Sequence, residues 1–549
     1  MTHSSNTIGF VTPRYGVDIL GGAERHVRSL AEQLVKGGWK VEALTTCTES
    51  LIEIRNTLPP GTSEVNGVTV RRFPADQTDI ARYHRVAALA QSGAKVSYSD
   101  QLEFMRHSIN SGPLYEYLRS HADEYRCIVF APYLFGTTYW GIQAVPHKAI
   151  LMPCLHDEPY AYFDLIRDMF EQVQGIFFNT PPEYEFARNK LGLINPNAQI
   201  VGMEFPDQPK GDGEGFRAKH QLKGNVLLYT GRLEEGKNIP LLLDYFTRYS
   251  DEQPGKWTLV ITGRGPVEIP KRPDIVYLGM LPEEEMKDLS AACSLFCLPS
   301  LNESMSIVLM ETWLQDRPVL VHADCAVTHY HIKQSQGGLA FDSYESFKAA
   351  LERIAAEPET ARAMGQRGHA YVRQTFNSEA VYARLTKAIN DFTAPRSLYD
   401  QLSQQAIVHA RSFSRERFDE RFEAILKQVE AETAGQGLTP QQISALRQAA
   451  LVGMPDYQVQ SGAPFGLGKL IVWLRNQLTS HLREPYLDPI IARQEHYNRQ
   501  LLDVILPALE RSVRSQQRLE RQVRMLEQQV SELQKQLASS EKATNELHK

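Results

Sequence analysis

Short apolar runs alternate with longer stretches of helical spacing through the first 392 residues. Ile8–Thr12 is an apolar run closed by Pro13 and Gly16. Gly21-Gly22 follow, and then Ala23, Val27, Leu30, Ala31 and Leu34 recur at the three-and-four spacing of a helix. Gly37-Gly38 end it, and Lys40–Thr45 predicts the next strand, so the chain opens as strand, glycine turn, helix, strand. Further strands are predicted at Val68–Phe73, Cys127–Phe130, Lys148–Leu151 and Gly175–Asn179. A second alternating series runs through Asn225–Thr230, Trp257–Thr262, Ile275–Leu278, Leu295–Leu298, Pro318–His322 and Gly338–Phe341. The polar, Gly-rich stretch Gln208–Gly215 between the two series predicts the interdomain linker. The pattern therefore predicts two Rossmann-like, doubly wound α/β domains, residues 1–205 and 206–392, facing a shared cleft, where such folds bind ligands.

Beyond residue 392 the strand signals stop and charged, helical sequence takes over, predicting a helical extension over 393–500 and a coiled coil over 501–549. Leu519, Val523, Leu526, Val530, Leu533 and Leu537 alternate spacings of four and three, a heptad seam. It predicts a homo-oligomer, with a parallel dimer and a trimer both open. Arg511, Arg514, Arg518, Arg521 and Arg524 lie off that seam. They read either as a solvated flank or as an attraction for anionic lipid. The apolar stretch within Ala463–Leu482 reads as packing on the preceding domain or as contact with a membrane surface.

Composition narrows the classes. With 42% hydrophobic and 23% charged residues, the 549-residue chain cannot be disordered throughout. A formal charge of −6 argues against a globally basic nucleic-acid binder. The six cysteines are scattered without a C-x2-C pair, so reduced, buried thiols are expected rather than a zinc site, Cys293 and Cys297 included. The first residues lack a basic region followed by an apolar one, and no apolar run approaches the ~18–20 residues of a membrane span, so a cytoplasmic protein is expected.

The strongest candidate for chemistry is Pro299–Glu311, at the carboxyl end of a predicted strand and leading into a helix. Ser304 or Ser306 can cap that helix, whose first turn then offers free N–H groups and a positive dipole end to a phosphate. Glu303, just before the helix, suits sugar hydroxyls, and Glu311, two turns on, suits a ribose. Spacing alone leaves both glutamates open to a plain surface reading. Arg232 and Lys237 straddle a glycine turn after another strand, where two cations can neutralise a diphosphate; two surface cations in a turn is the plainer alternative. Gly263-Arg264-Gly265 is a weak glycine signal on its own. In the first domain, Gly21-Gly22 allow close approach to the backbone or simply make a tight turn. The His156-Asp157-Glu158 cluster reads as a cleft-lining histidine that contacts substrate, with a metal site the lesser alternative.

Taken together, Gly21-Gly22-Ala23-Glu24, Gly231-Arg232 through Lys237, Gly263-Arg264-Gly265-Pro266 and the E-x7-E pair Glu303/Glu311 resemble the family 4 retaining glycosyltransferases of GT-B fold, over roughly residues 5–392. Leu301–Val308 and Gln336–Leu339 resemble bacterial enzymes that build O-antigen or capsular polysaccharide. The resemblance implies transfer of a sugar, with retention, from a UDP- or GDP-linked donor to a glycan or lipid-linked glycan. Arg232 and Lys237 would hold the diphosphate, Glu303 the sugar and Glu311 the ribose. Gly21, Gly22, Gly263, Ser304, Ser306 and Ile307 would shape the nucleotide site, and His156 the sugar subsite. Neither a metal nor a further cofactor is implied, and lipid-linked acceptors make peripheral contact with the inner membrane face reasonable. Ser304, Met305 and Ser306 depart from the commoner E-G-F-G form, which narrows the space beside the phosphate. A transferase-like scaffold without activity, or another GT-B enzyme such as an epimerase or phosphorylase, are the competing readings.

Overall fold

The computed structural model describes residues 6–394, other than 20, 52, 194 and 196. They fall in one compact unit ending at Ala394. The expected helical extension from 395, the apolar stretch 463–482, the arginine stripe and the heptad seam lie outside the described residues.

The first sheet has eight strands: β1 (Thr7–Val11), β2 (Lys40–Thr46), β3 (Gly61–Val65), β4 (Val68–Phe73), β5 (Cys127–Phe130), β6 (Ala149–Leu151), β7 (Gly175–Phe178) and β8 (Ala198–Ile200). Their order is β3-β4-β2-β1-β5-β6-β7-β8. Every neighbouring pair is parallel except the β3–β4 hairpin. Strands covered on both faces read as continuous apolar runs, as β5 (Cys-Ile-Val-Phe, buried throughout) does. Strand β3 was not predicted, because Gly-Thr-Ser-Glu-Val is an exposed, polar edge. Its local signal is Asn66-Gly67, both with positive φ (49° and 81°), the hairpin turn that joins it to β4.

The second sheet has six parallel strands: β9 (Asn225–Thr230), β10 (Trp257–Thr262), β11 (Ile275–Tyr277), β12 (Leu295–Leu298), β13 (Val319–His322) and β14 (Gly338–Phe341), in the order β11-β10-β9-β12-β13-β14. Strand β9 has β10 on one side and β12 on the other. That reversal opens a crevice beyond the carboxyl ends of β9 and β12. Strand β1, flanked by β2 and β5, makes the matching crevice in the first sheet.

Two boundaries differ from the expectation. Gln208–Gly215 is not a linker: a Cβ on Gly211 would sit 2.4 Å from the Lys287 carbonyl oxygen, and one on Gly213 2.5 Å from that of Ala291. These glycines are there for tight docking on the second domain, and Gly213–Lys219 is helical. The chain instead crosses between Val201, in the core of the first domain, and Met203, in that of the second. It crosses back after Phe376, because the helix Ser378–Phe392 packs Val381, Leu385, Ala388, Ile389 and Phe392 into the first domain's core. The Phe205 N–H donates to the Phe376 carbonyl at 2.8 Å, so the two crossings lie side by side.

Candidate active site

The segments that follow β1, β6, β9 and β12 bring the candidate residues to one cleft. After β9, Glu235–Lys237 makes a single 3-10 turn, and Asn238 takes a left-handed conformation (φ 57°). The Asn238 side-chain amide donates to the Pro299 carbonyl at 3.1 Å, tying this loop to the one after β12. Lys237 is thereby brought to Glu303, with Nζ 2.7 Å from Oε1 and side chains only 17% and 11% exposed. Burial, the largest single influence, would raise the Glu303 carboxyl, but the charge and hydrogen bond of Lys237, with smaller help from His156 and Ser300, together hold the group below its ordinary value. Arg232, in contrast, is 69% exposed at the rim and paired with Glu234 at 3.1 Å. The two cations therefore differ: one is fixed in the pit, and the other can reach out for an anion.

Across the cleft, His156 follows β6. Burial, then the nearby positive charge of Lys237, lowers its pKa to about 4 against the pull of Glu303, and Arg232 acts in the same direction. Its imidazole is therefore neutral at pH 7, able to donate at one ring nitrogen and accept at the other. Glu158 lies beside it, Oε1 3.8 Å from Nδ1, and accepts a hydrogen bond from the Tyr133 hydroxyl at 2.7 Å. Burial raises the Glu158 carboxyl, opposed by that bond and by Arg232 and Lys237. The His156-Asp157-Glu158 run does not close round an ion: Asp157 instead pairs with Lys190 at 2.5 Å. Among the described residues no group of three or more His, Cys, Asp or Glu is arranged to hold a metal.

Ser306 stands at the N-cap of the helix Ile307–Leu314, but not as a hydroxyl cap. It is left-handed (φ 67°), and its buried Oγ has no partner among the described residues. The first-turn N–H groups of that helix consequently keep no side-chain acceptor, which suits an incoming anion. The Ser304 carbonyl accepts a bond from the Thr180 hydroxyl of the first domain at 3.2 Å. Gly22 opens the helix Gly22–Lys36, and a Cβ there would lie 3.8 Å from Cδ1 of Ile307. Two helix N-termini thus face one another across the cleft. Gly21 is needed for another reason: a Cβ would run into Glu24, whose carboxylate pairs with Arg14. Gly263 likewise shapes the backbone, since a Cβ there would overlap the Gly231 carbonyl oxygen. Glu311, expected at the ribose, is bound at 2.5 Å to Arg25 of the opposite domain.

Sequence reading missed Arg25, Thr180 and Asn238. Asn238 had a signal, an Asn just ahead of the Ile-Pro that opens a helix. Arg25 and Thr180 had none, because each acts on the other domain. The thiols of Cys293 and Cys297 are buried in the second core, as read, and burial pushes Cys293 up to about 12.

Residues 214–371 match the family model "Glycosyl transferases group 1". D-inositol 3-phosphate glycosyltransferase of Corynebacterium glutamicum (strain R) is 24% identical over 231 residues, 38% of this chain; the chain spans about half (54%) of that relative's length. The enzyme of the same name from Corynebacterium efficiens is 22% identical over 428 residues, covering 69% of this chain and 94% of that one. Among solved structures, Anabaena Alr3699/HepE in complex with UDP and glucose superposes with a TM-score of 0.52 at 14% identity, over 70% of this chain and 99% of its own. The matched second domain and the shared two-sheet architecture indicate a glycosyltransferase enzyme of GT-B fold.

Proposed function

We propose that the chain transfers a sugar, with retained configuration, from a UDP- or GDP-linked donor to a glycan or lipid-linked glycan acceptor in bacterial surface polysaccharide synthesis. The observation that carries this is the Lys237–Glu303 pair, fixed in the pit between two helix N-termini and opposite neutral His156. In this reading the donor diphosphate rests on the first turn of Ile307–Leu314 and against Gly22, with Lys237 beneath it and Arg232 closing from the rim. Glu303 accepts hydrogen bonds from the donor sugar's hydroxyls, and His156 meets the same sugar from the other domain. The bond from the anomeric carbon to the phosphate oxygen breaks while the acceptor oxygen bonds to that carbon. The acceptor's proton passes to the departing phosphate. Negative charge grows on that phosphate, where the cations and helix ends already point, so the protein reorganises little at the moment of reaction. The positive field comes from side chains and helix ends, and the reading needs no metal.

The UDP held by the Anabaena neighbour supports a uridine donor, with the residues around Leu278–Leu281 deciding the base. The near-complete span of the Corynebacterium efficiens relative favours a second reading of the acceptor, a phosphorylated cyclitol. We carry self-association through the heptad seam and contact with the inner membrane face as part of the proposal; among the described residues no helix is long and apolar enough to cross a membrane. The test is a thermal-shift screen of the whole protein against UDP, GDP and CDP. A nucleotide at 100 times its dissociation constant adds about 2.7 kcal/mol and raises the melt. No shift from any of the three would overturn the proposal.

A further inference from the structure

The helix Gly22–Lys36 turns Val27, Leu30, Ala31 and Leu34 into the first domain's core, and Arg25 lies off that buried stripe. Its guanidinium spans the cleft to Glu311, on the second domain's helix Ile307–Leu314, at 2.5 Å. Both side chains are about 30% exposed (31% and 28%), so water screens the pair only in part. The ion pair that the arginine makes is across the cleft rather than within its own helix. What it reaches is the carboxylate that, on the proposed function, receives the donor's ribose.

We infer that Arg25 is a positioning residue for the nucleotide: it holds the Glu311 carboxylate in one rotamer, and sets the two domains at the separation the donor needs. This rests on the ribose reading of Glu311. A carboxylate has acceptor sites on both oxygens, so it can bond a guanidinium and a diol together. An anchored carboxylate loses less side-chain freedom when the nucleotide arrives, and the interdomain ion pair biases the protein towards the closed arrangement before binding. Two neighbouring contacts belong to the same closure, the Thr180 hydroxyl on the Ser304 carbonyl and Gly22 against Ile307. Of the three, the Arg25 pair is the one that ends on the carboxylate assigned to the ribose.

The experiment measures UDP binding by calorimetry and the melting temperature without ligand, for the full chain and for Arg25→Ala, Arg25→Lys, Glu311→Ala and the double variant Arg25→Ala/Glu311→Ala. Arg25→Ala is expected to weaken UDP about tenfold, equivalent to about 1.4 kcal/mol. Arg25→Lys, which keeps the charge and loses the fork, should regain part of that. The double variant should bind no more weakly than Glu311→Ala alone, because Arg25 acts through Glu311. Wild-type affinity in Arg25→Ala beside a weakened Glu311→Ala would overturn the inference and leave the ribose reading standing, as would losses that simply add. Wild-type affinity in Glu311→Ala would remove the ribose reading itself. A lowered melting temperature in Arg25→Ala with unchanged affinity would make the arginine structural and sink the proposal.

Discussion

Replacing Lys237 with Met removes a charge while keeping much of the side chain's volume, and it strands Glu303. With the pair at 2.7 Å and its side chains 17% and 11% exposed, most of the carboxylate's desolvation goes uncompensated. Truncating one partner of a buried, hydrogen-bonded pair costs about 2–5 kcal/mol; the residual exposure here puts the expectation at the lower end, about 2–3 kcal/mol. For domains of about 150–250 residues each kcal/mol moves the melt by roughly 2–4 °C, so a fall of about 5–10 °C is expected at pH 7. The dependence on pH is more diagnostic. In the wild type, Lys237 holds the Glu303 carboxyl low, so its contribution is present above the usual carboxylate value of about 4.3 and is lost only on acidification through the lower folded value. In the variant the Lys237 charge and hydrogen bond are gone, and burial, the largest influence on the group, drives it upward against the smaller pull of His156 and Ser300. The folded state then binds the proton more tightly than the unfolded chain, and stability falls as pH rises from about 4.3 through the raised value. The gap between the two proteins should therefore open between pH 4.5 and 7, and Lys237→Met/Glu303→Gln should close most of it. Sugar transfer should drop by about 10²–10³, from loss of support for the leaving group, and the double variant should not recover it. Melting curves at four pH values, with turnover at pH 7, test this. Parallel melting-temperature profiles for wild type and Lys237→Met would refute the reasoning.

Three further outcomes follow from the same cleft. Ser306→Gly removes a left-handed side chain and a buried hydroxyl without a partner among the described residues, and should raise stability by about 1 kcal/mol in urea unfolding; a loss would mean the hydroxyl is bonded. His156, with a pKa of about 4 against an unfolded value near 6.5, should show no protonation by NMR between pH 7 and 5, and its contribution to stability should fall as pH drops through that interval; a midpoint above 6 would place the ring in water. Glu183, buried where the segments after β6 and β7 meet, is pushed up to about 8 by burial, against the pull of the backbone N–H groups of Asn179 and Leu155, so its contribution should fade as pH rises from about 4.3 to 8. Glu183→Gln should flatten that slope, and an unchanged slope would contradict the assignment.

The sheets were legible because buried parallel strands are apolar from end to end, and the glycine turns mark where each one stops. The Glu303, Lys237 and His156 positions were legible because each follows such a strand. What stayed hidden was whatever is set by contacts outside the local pattern. Glu24, His26 and Gln33 are buried polar residues on a helix whose pattern shows only an apolar stripe. Their partners lie far along the chain or off the helix: Arg14 for Glu24, the Gly202 carbonyl for His26, and Glu204 with the Ser378 carbonyl for Gln33. The glycines of 208–215 were misread for a related reason. Composition cannot distinguish a glycine that frees the chain from one that lets two backbones touch.

The adjacent crossings at Gly202–Met203 and Phe376–Asn377 have a kinematic consequence. A single connecting strand would leave two bodies free to swing and twist about it. Here two strands run together, joined by the Phe205–Phe376 bond, and a Cβ on Gly202 would sit 3.2 Å from the Phe376 ring. Twisting one domain on the other would shear that bond, whereas bending both strands together would not. Relative motion is thereby weighted towards an opening angle over a twist. The alignment of Glu303 with His156 on closing would then depend on residues at the crossings, far along the chain from either.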